Sequence, residues 1–196
     1  MTRFLALGDS YTIGEAVAPG DRWPALLAQR LHLDEPEIVA KTGWTTDELS
    51  AAIDAARPQG PFDLVSLLIG VNDQYRGRGA ESYRPGFVSL LDRAVAFAGD
   101  ASRRVVVVSI PDWGVTPFAA DRDRAHVAAQ IDAYNRVNRE EADRAGAHYA
   151  DVTAVSREAA SQPDLTAADG LHPSADQYRR WVEIILPEAR LALAAH

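Results

Sequence analysis

The chain has 196 residues, no cysteine, and 28 acidic against 20 basic side chains, for a formal net charge of −8. That length fits a single domain over 1–196, large enough to bury roughly 70% of the unfolded chain's surface without disulfide or metal support. Lack of cysteine excludes disulfides, thiolate nucleophiles and thiolate-bound zinc or iron–sulfur centres, and the acidic balance argues against nucleic acid as a partner.

The first apolar run, RFLALGD at 3–9, reads as a strand. It is too short and too soon interrupted for a signal peptide, so a soluble cytoplasmic protein is the expectation. No stretch approaches ~20 consecutive apolar residues, so no integral membrane association is expected either. A helical pattern follows at 21–32, then a second strand, EIVAKTG, at 37–43. The next helix, 46–57, is introduced by Thr45 and Glu48 at capping-box spacing. FDLVSLLIG at 62–70 is the third strand, followed by a helix at 82–98, and RRVVVVSIP at 103–111 is the fourth strand. The helix at 123–145 carries Val127, Ile131, Tyr134 and Val137 at spacings of three and four, a one-sided apolar stripe. AHYADVT at 147–153 is a weaker fifth strand. The last helix, 174–194, has Ser174 after Pro173 as a cap, and Pro187 is expected to kink or divide it. Three strands are nearly continuous apolar runs, as parallel strands buried on both faces require. Such strand–helix alternation implies an α/β fold with a parallel sheet and right-handed crossovers.

In open α/β sheets, ligands bind beyond the carboxyl ends of the strands. Three strands here end in GDSYTIG, KTGWTTDE and GVNDQYRG. Each alone reads as an ordinary turn, since Gly, Asn, Asp and Ser favour turns on their own account. Together with DGLHPS at 169–174 they supply what acyl transfer to serine demands: a hydroxyl, a base to take its proton, and donors for the developing oxyanion. Ser10 offers the hydroxyl, or alternatively caps a short helical turn beginning at Tyr11. In DGLHPS (169–174), Asp169 and His172 are three residues apart with Gly170 between them, so both side chains can converge from one tight loop. The bland reading of that stretch is a turn and a helix cap. His32, His126 and His148 lie in helical or strand patterns and His196 is the last residue, so His172 alone has a carboxylate at short range in a glycine-containing loop. Gly43 offers a backbone N–H with no Cβ in the way, and Asn72 a neutral amide donor.

At these residues the chain resembles the SGNH hydrolases, the GDSL-type esterases and lipases. The first block is GDSYTIG, with Tyr11 at the usual leucine position. The second is matched by Gly43, the third by Gly70-Val71-Asn72-Asp73, and the last by Asp169-Gly170-Leu171-His172 with Pro173 after it. The blocks occur in order between positions 8 and 173. The resemblance implies a three-layer α/β/α sandwich, flavodoxin-like, with a five-stranded parallel sheet of order 2-1-3-4-5. It also implies a triad of Ser10, Asp169 and His172, and an oxyanion hole formed by the Ser10 and Gly43 N–H groups and the Asn72 side chain.

The activity expected is hydrolysis of small-molecule carboxylic esters of short-to-medium acyl chain through an acyl-enzyme, with no metal or organic cofactor. An acyltransferase or a carbohydrate acetyl-esterase would use the same machinery. A non-catalytic flavodoxin-like binding domain would be expected to lose Ser10, Asn72 or His172. GDSYTIG lacks the spacing and lysine of a phosphate-binding loop, and Asp169 with His172 lacks the further ligands a metal needs. Substrate contacts are expected from Trp44, Asp73 and Tyr75 beside the oxyanion residues, and from Trp113 and Phe118 in the long irregular stretch 111–123. The competing reading is that those aromatics only pack the loop down. Arg76 and Arg78 are candidates for an anionic substrate group.

Overall fold

A computed structural model describes residues 2–194. Five strands form one parallel sheet: β1 (Phe4–Gly8), β2 (Glu37–Ala40), β3 (Leu64–Leu68), β4 (Val105–Val108) and β5 (His148–Ala150). Their order is β2-β1-β3-β4-β5, as expected. Every residue of β1, β3 and β4 is buried, which is why these strands read as unbroken apolar runs. The edge strands β2 and β5 keep partly exposed positions and give the weaker pattern.

The larger helices are α2 (Trp23–Leu31), α3 (Thr46–Ala56), α5 (Ala80–Phe97), α6 (Arg124–Ala145) and α8 (Ala175–Ala194), with single-turn helices α1 (Ser10–Ile13), α4 (Val71–Tyr75) and α7 (Thr153–Ser156) between them. α8 packs on β3, β4 and β5 and against α2, while α5 lies on β3 between α3 and α6, completing three layers. The expected stripe of α6, Val127, Ile131, Tyr134 and Val137, is buried in the core. Thr45 caps α3, its N–H donating to the Glu48 carboxylate at 2.8 Å.

Pro187 does not divide the last helix, which runs unbroken from Ala175 to Ala194. A proline in a helix interior costs about 3 kcal/mol. Here Trp181, Val182, Ile185 and Leu186 before it, and Ala189 and Ala192 after it, are all buried, so packing on both sides outweighs that loss. Ser174 accepts the Gln177 N–H at 3.4 Å and so starts the helix as expected. The stretch 111–123 is less irregular than its sequence suggests, holding 3-10 turns at Trp113–Val115 and Pro117–Ala119. His196 lies outside the described residues. Among the described residues no helix is long and apolar enough to cross a membrane.

Candidate active site

The carboxyl ends of β1, β2 and β3 and the loop before α8 meet at one cavity of about 150 Å³. Ser10, Gly43, Asn72 and His172 share its wall.

Ser10 is the first residue of α1, immediately after β1, and is nearly fully buried. The cap of that turn is Asp9 rather than Ser10: the Asp9 carboxyl accepts the Tyr11 N–H at 3.0 Å. This frees the Ser10 hydroxyl from a capping role. Gly8 lets the strand exit close to its neighbour, because a Cβ there would stand 2.5 Å from the Leu68 carbonyl oxygen. The second oxygen of Asp9 is buried without a partner. Burial, together with the negative charge of Asp73, pushes the Asp9 pKa up to about 8, despite the opposing Tyr11 hydrogen bond. Asp9 is therefore neutral at pH 7.

Asp169 and His172 converge as their spacing suggests. One Asp169 oxygen accepts the N–H groups of Leu171 and His172, at 2.9 and 3.0 Å, and the other lies 2.6 Å from His172 Nδ1. Burial raises the carboxyl's pKa, but the imidazole and the two amides more than offset it and hold the group below the usual carboxylate range. An ionised carboxylate can only accept, so Nδ1 carries the proton and Nε2 is left as the basic nitrogen. The loop's backbone is fixed from outside: Ala167 N–H donates to the His172 carbonyl at 2.7 Å, and Thr166 bridges Pro173. The Tyr11 ring packs against the imidazole with centroids 5.4 Å apart. Ser10 and His172 are not hydrogen-bonded to each other among the described residues; in enzymes without substrate such contacts are often long.

On the opposite side, Gly43 has φ +88°, in the left-handed region, and a Cβ there would meet open space. Backbone conformation, not crowding, calls for glycine at this point. Asn72 donates one amide N–H to the Trp44 carbonyl at 2.9 Å, which orients the group and leaves its second N–H unspent. The Ser10 and Gly43 N–H groups have no backbone acceptor among the described residues. Three donors thus border the cavity that holds the hydroxyl and the imidazole. Such a set can transfer a proton from a serine and stabilise an anion formed beside it.

Of the five residues expected to meet substrate, Tyr75, Trp113 and Phe118 line the cavity. Their rings contact one another at centroid distances of 5.4–6.1 Å. Trp113 is buried and tethered by its indole N–H to Gln74 at 2.8 Å, whereas Tyr75 and Phe118 are half exposed. The loop is therefore both packed down and part of the wall. The other two lie off the wall. Asp73 is fully buried away from the cavity, where it accepts the Thr46 N–H and hydroxyl, each at 3.0 Å, and Arg78 at 2.8 Å. Trp44 is not on the cavity wall; its side chain packs against the core and its carbonyl serves Asn72. Arg78 is taken up by Asp47 and Asp73, and Arg76 by Glu48 and the Gly43 carbonyl. The motifs did not single out Thr42, Val71 and Leu171, which complete the wall with Tyr11. Each is adjacent in sequence to a motif residue, which is the signal that could have found them.

A model of the GDSL-like lipase/acylhydrolase family matches residues 6–180. The chain belongs to that family. As a member of the GDSL-like family it is a carboxylic-ester hydrolase. No curated protein matches it by sequence. Among solved structures it is similar to TesA, with 22% identity over 98% of this chain and 100% of that one and a TM-score of 0.77. It is also similar to Axe2, an acetylxylan esterase from Geobacillus stearothermophilus, with 22% identity over 96% and 94% of the two chains and a TM-score of 0.68. The psychrotrophic esterase EstA from Pseudoalteromonas sp. matches at 17% identity over 99% and 100%, with a TM-score of 0.69. At these identities the likeness speaks for the fold, which this GDSL-like chain shares with all three.

Proposed function

We propose that this protein hydrolyses carboxylic esters of short acyl chains through an acyl-enzyme formed on Ser10. The observation that carries the reading is the Asp169–His172 pair, with His172 on the wall it shares with Ser10 and the Asp169 carboxylate behind it fixing the tautomer that leaves Nε2 basic. In this reading Ser10 Oγ attacks the ester carbonyl as His172 Nε2 takes its proton. Asp169 stabilises the resulting imidazolium and is not itself protonated. The Ser10 and Gly43 N–H groups and the free Asn72 N–H hold the tetrahedral oxyanion. His172 then protonates the departing alkoxide, and a water deprotonated by the same nitrogen releases the acid and restores Ser10.

The acyl preference follows from the cavity. A space of about 150 Å³ walled by Val71, Tyr75, Trp113, Phe118 and Leu171 is the size that accommodates a benzene-sized molecule. That suits acetyl to butyryl groups, while a longer acyl chain would have to leave the cavity past Tyr75 and Phe118. A second reading, esters of acetylated sugars, draws support from the half-exposed rings of Tyr75 and Phe118 at the mouth, an apolar face on which a sugar ring can lie.

The test is a panel of p-nitrophenyl esters from acetate to palmitate, with acetylated xylo-oligosaccharides alongside, run on the wild type and on Ser10→Ala. Ser10→Ala is expected to cost about 10⁵–10⁶ in kcat. Rates should fall steeply beyond butyrate. An active Ser10→Ala variant defeats the mechanism, and palmitate turned over as fast as butyrate defeats the size argument.

A further inference from the structure

We propose that Arg76 is a positioning residue for the Gly43 oxyanion donor, an inference that rests on the serine-hydrolase reading above. Gly43 is held only loosely by local means: at φ +88° it has no side chain to pack, and the turn around it is closed by one long bond, Trp44 N–H to the Lys41 carbonyl at 3.3 Å. From α4 the structure grips the peptide that follows Gly43, which limits rotation at the glycine and so the direction of its N–H. Arg76 Nη2 donates to the Gly43 carbonyl at 2.8 Å, and Asn72 Nδ2 to the next carbonyl, that of Trp44, at 2.9 Å. Asn72 and Arg76 are four residues apart, with the Arg76 N–H bonded to the Asn72 carbonyl at 3.0 Å, so one helical face presents both donors to consecutive peptides.

Arg76 is itself braced. The same nitrogen stands 3.2 Å from Glu48, whose carboxylate also accepts the Thr45 N–H at 2.8 Å. The Thr45 amide first, then the Thr45 hydroxyl and Arg76, hold Glu48 below its ordinary pKa against the effect of burial, so it stays ionised. On the other side of the segment, Asp73 ties the Thr46 N–H. Four successive residues, Gly43 to Thr46, are therefore stitched by Arg76, Asn72, Glu48 and Asp73. Arg76 is the only one of these that grips Gly43, the residue whose N–H is the proposed oxyanion donor. Its guanidinium is spent on the scaffold, which sets this role apart from contact with an anionic substrate.

The experiment compares the wild type, Ser10→Ala, Arg76→Ala, Arg76→Lys and Glu48→Gln. Two neutral substrates, p-nitrophenyl acetate and butyrate, give kcat and KM. A short alkyl boronic acid gives a second readout, because its tetrahedral adduct on serine puts an oxygen where the oxyanion forms. Arg76→Ala is expected to lose about 10–100-fold in kcat with KM changed less than about threefold, since a misdirected donor weakens only the transition state. Boronate affinity should fall by a similar factor, and Arg76→Lys should recover most of both. Glu48→Gln, which keeps an acceptor for Thr45 but loses the charge bracing Arg76, should show a smaller loss of the same kind. Wild-type kcat in Arg76→Ala overturns the proposal. So does a loss confined to KM, or a fall in kcat with boronate affinity unchanged. If Arg76→Ala does not fold, Arg76→Met, which keeps the stem and removes the donor, and Glu48→Gln decide by the same criteria. An active Ser10→Ala sinks the underlying reading and this proposal with it; an inactive Ser10→Ala beside an unaffected Arg76→Ala sinks this proposal alone.

Discussion

Replacing Asp9 by asparagine is expected to make the protein more stable at neutral and alkaline pH, with a gain that grows as pH rises. Asp9 is completely buried next to Ser10, one oxygen accepting the Tyr11 N–H and the other unpartnered. Its pKa stands at about 8 in the folded chain against an ordinary value of 3.8. Below pH 3.8 the group is neutral both folded and unfolded and has no effect on the balance. Between the two values the folded state holds one proton that the unfolded state has released, so each rise of one pH unit costs the native state about 1.4 kcal/mol. Across the interval of about four pH units the ceiling is roughly 6 kcal/mol, a large share of a typical domain's stability. Asparagine has nearly the same shape, still accepts from Tyr11 and does not titrate.

The assay is urea unfolding of both proteins from pH 4.5 to 8.5. Groups not coupled to Asp9 titrate in common and cancel in the difference, leaving Asp9 and its interaction with Asp73. That difference should be small near pH 4.5 and should widen in favour of Asp9→Asn by about 1–1.4 kcal/mol per pH unit until it levels off near pH 8. A difference that does not change with pH, or one that narrows as pH rises, refutes the neutral buried carboxyl.

Two further outcomes follow from the site. Asp169→Asn keeps the shape of the loop but offers Nδ1 an amide in place of an ionised acceptor, and kcat should fall about 10⁴-fold with a much smaller change in KM; steady-state kinetics on p-nitrophenyl acetate check it. Phe118→Ala removes one half-exposed ring of the cavity wall and should raise kcat/KM for octanoate relative to acetate by about tenfold, since each methylene accommodated in an apolar pocket is worth about 1 kcal/mol or more. The chain-length profile of the variant reads this directly.

The central strands were legible because burial on both faces leaves no alternation to confuse the pattern, as in VVVV of β4. Pro187 misled because helix propensity is local, whereas the burial of Ile185, Leu186 and Ala189 against the sheet is not. Asp73 lies off the cavity wall for a geometric reason. Neighbouring residues on a helix point about 100° apart, so once Asn72 lines the cavity Asp73 must face elsewhere. Tyr75 and Arg76, three and four residues on, share the Asn72 face. Tyr75 accordingly lines the cavity and Arg76 reaches the Gly43 loop. That periodicity was available in GVNDQYRG, but only after α4 was recognised as a helix, and a five-residue helix gives almost no periodic signal of its own.

A different kind of tie had no sequence signal at all. The Phe118 N–H donates to the Gly170 carbonyl at 2.9 Å, joining the aromatic wall of the cavity to the turn that carries Asp169 and His172. The wall on one side is anchored by Trp113 to Gln74, at the end of α4, and Asn72 of the same helix holds the Gly43 loop. The residues that wall the cavity are thus bonded both to the segment bearing His172 and to the segment bearing Gly43. A substitution that reshapes the pocket through the backbone at 117–118 disturbs the position of His172 as well. One that trims only a ring, as Phe118→Ala does, leaves both ties intact. Changes of chain-length preference and of kcat should therefore separate for side-chain truncations and travel together for proline or deletion changes in 116–119.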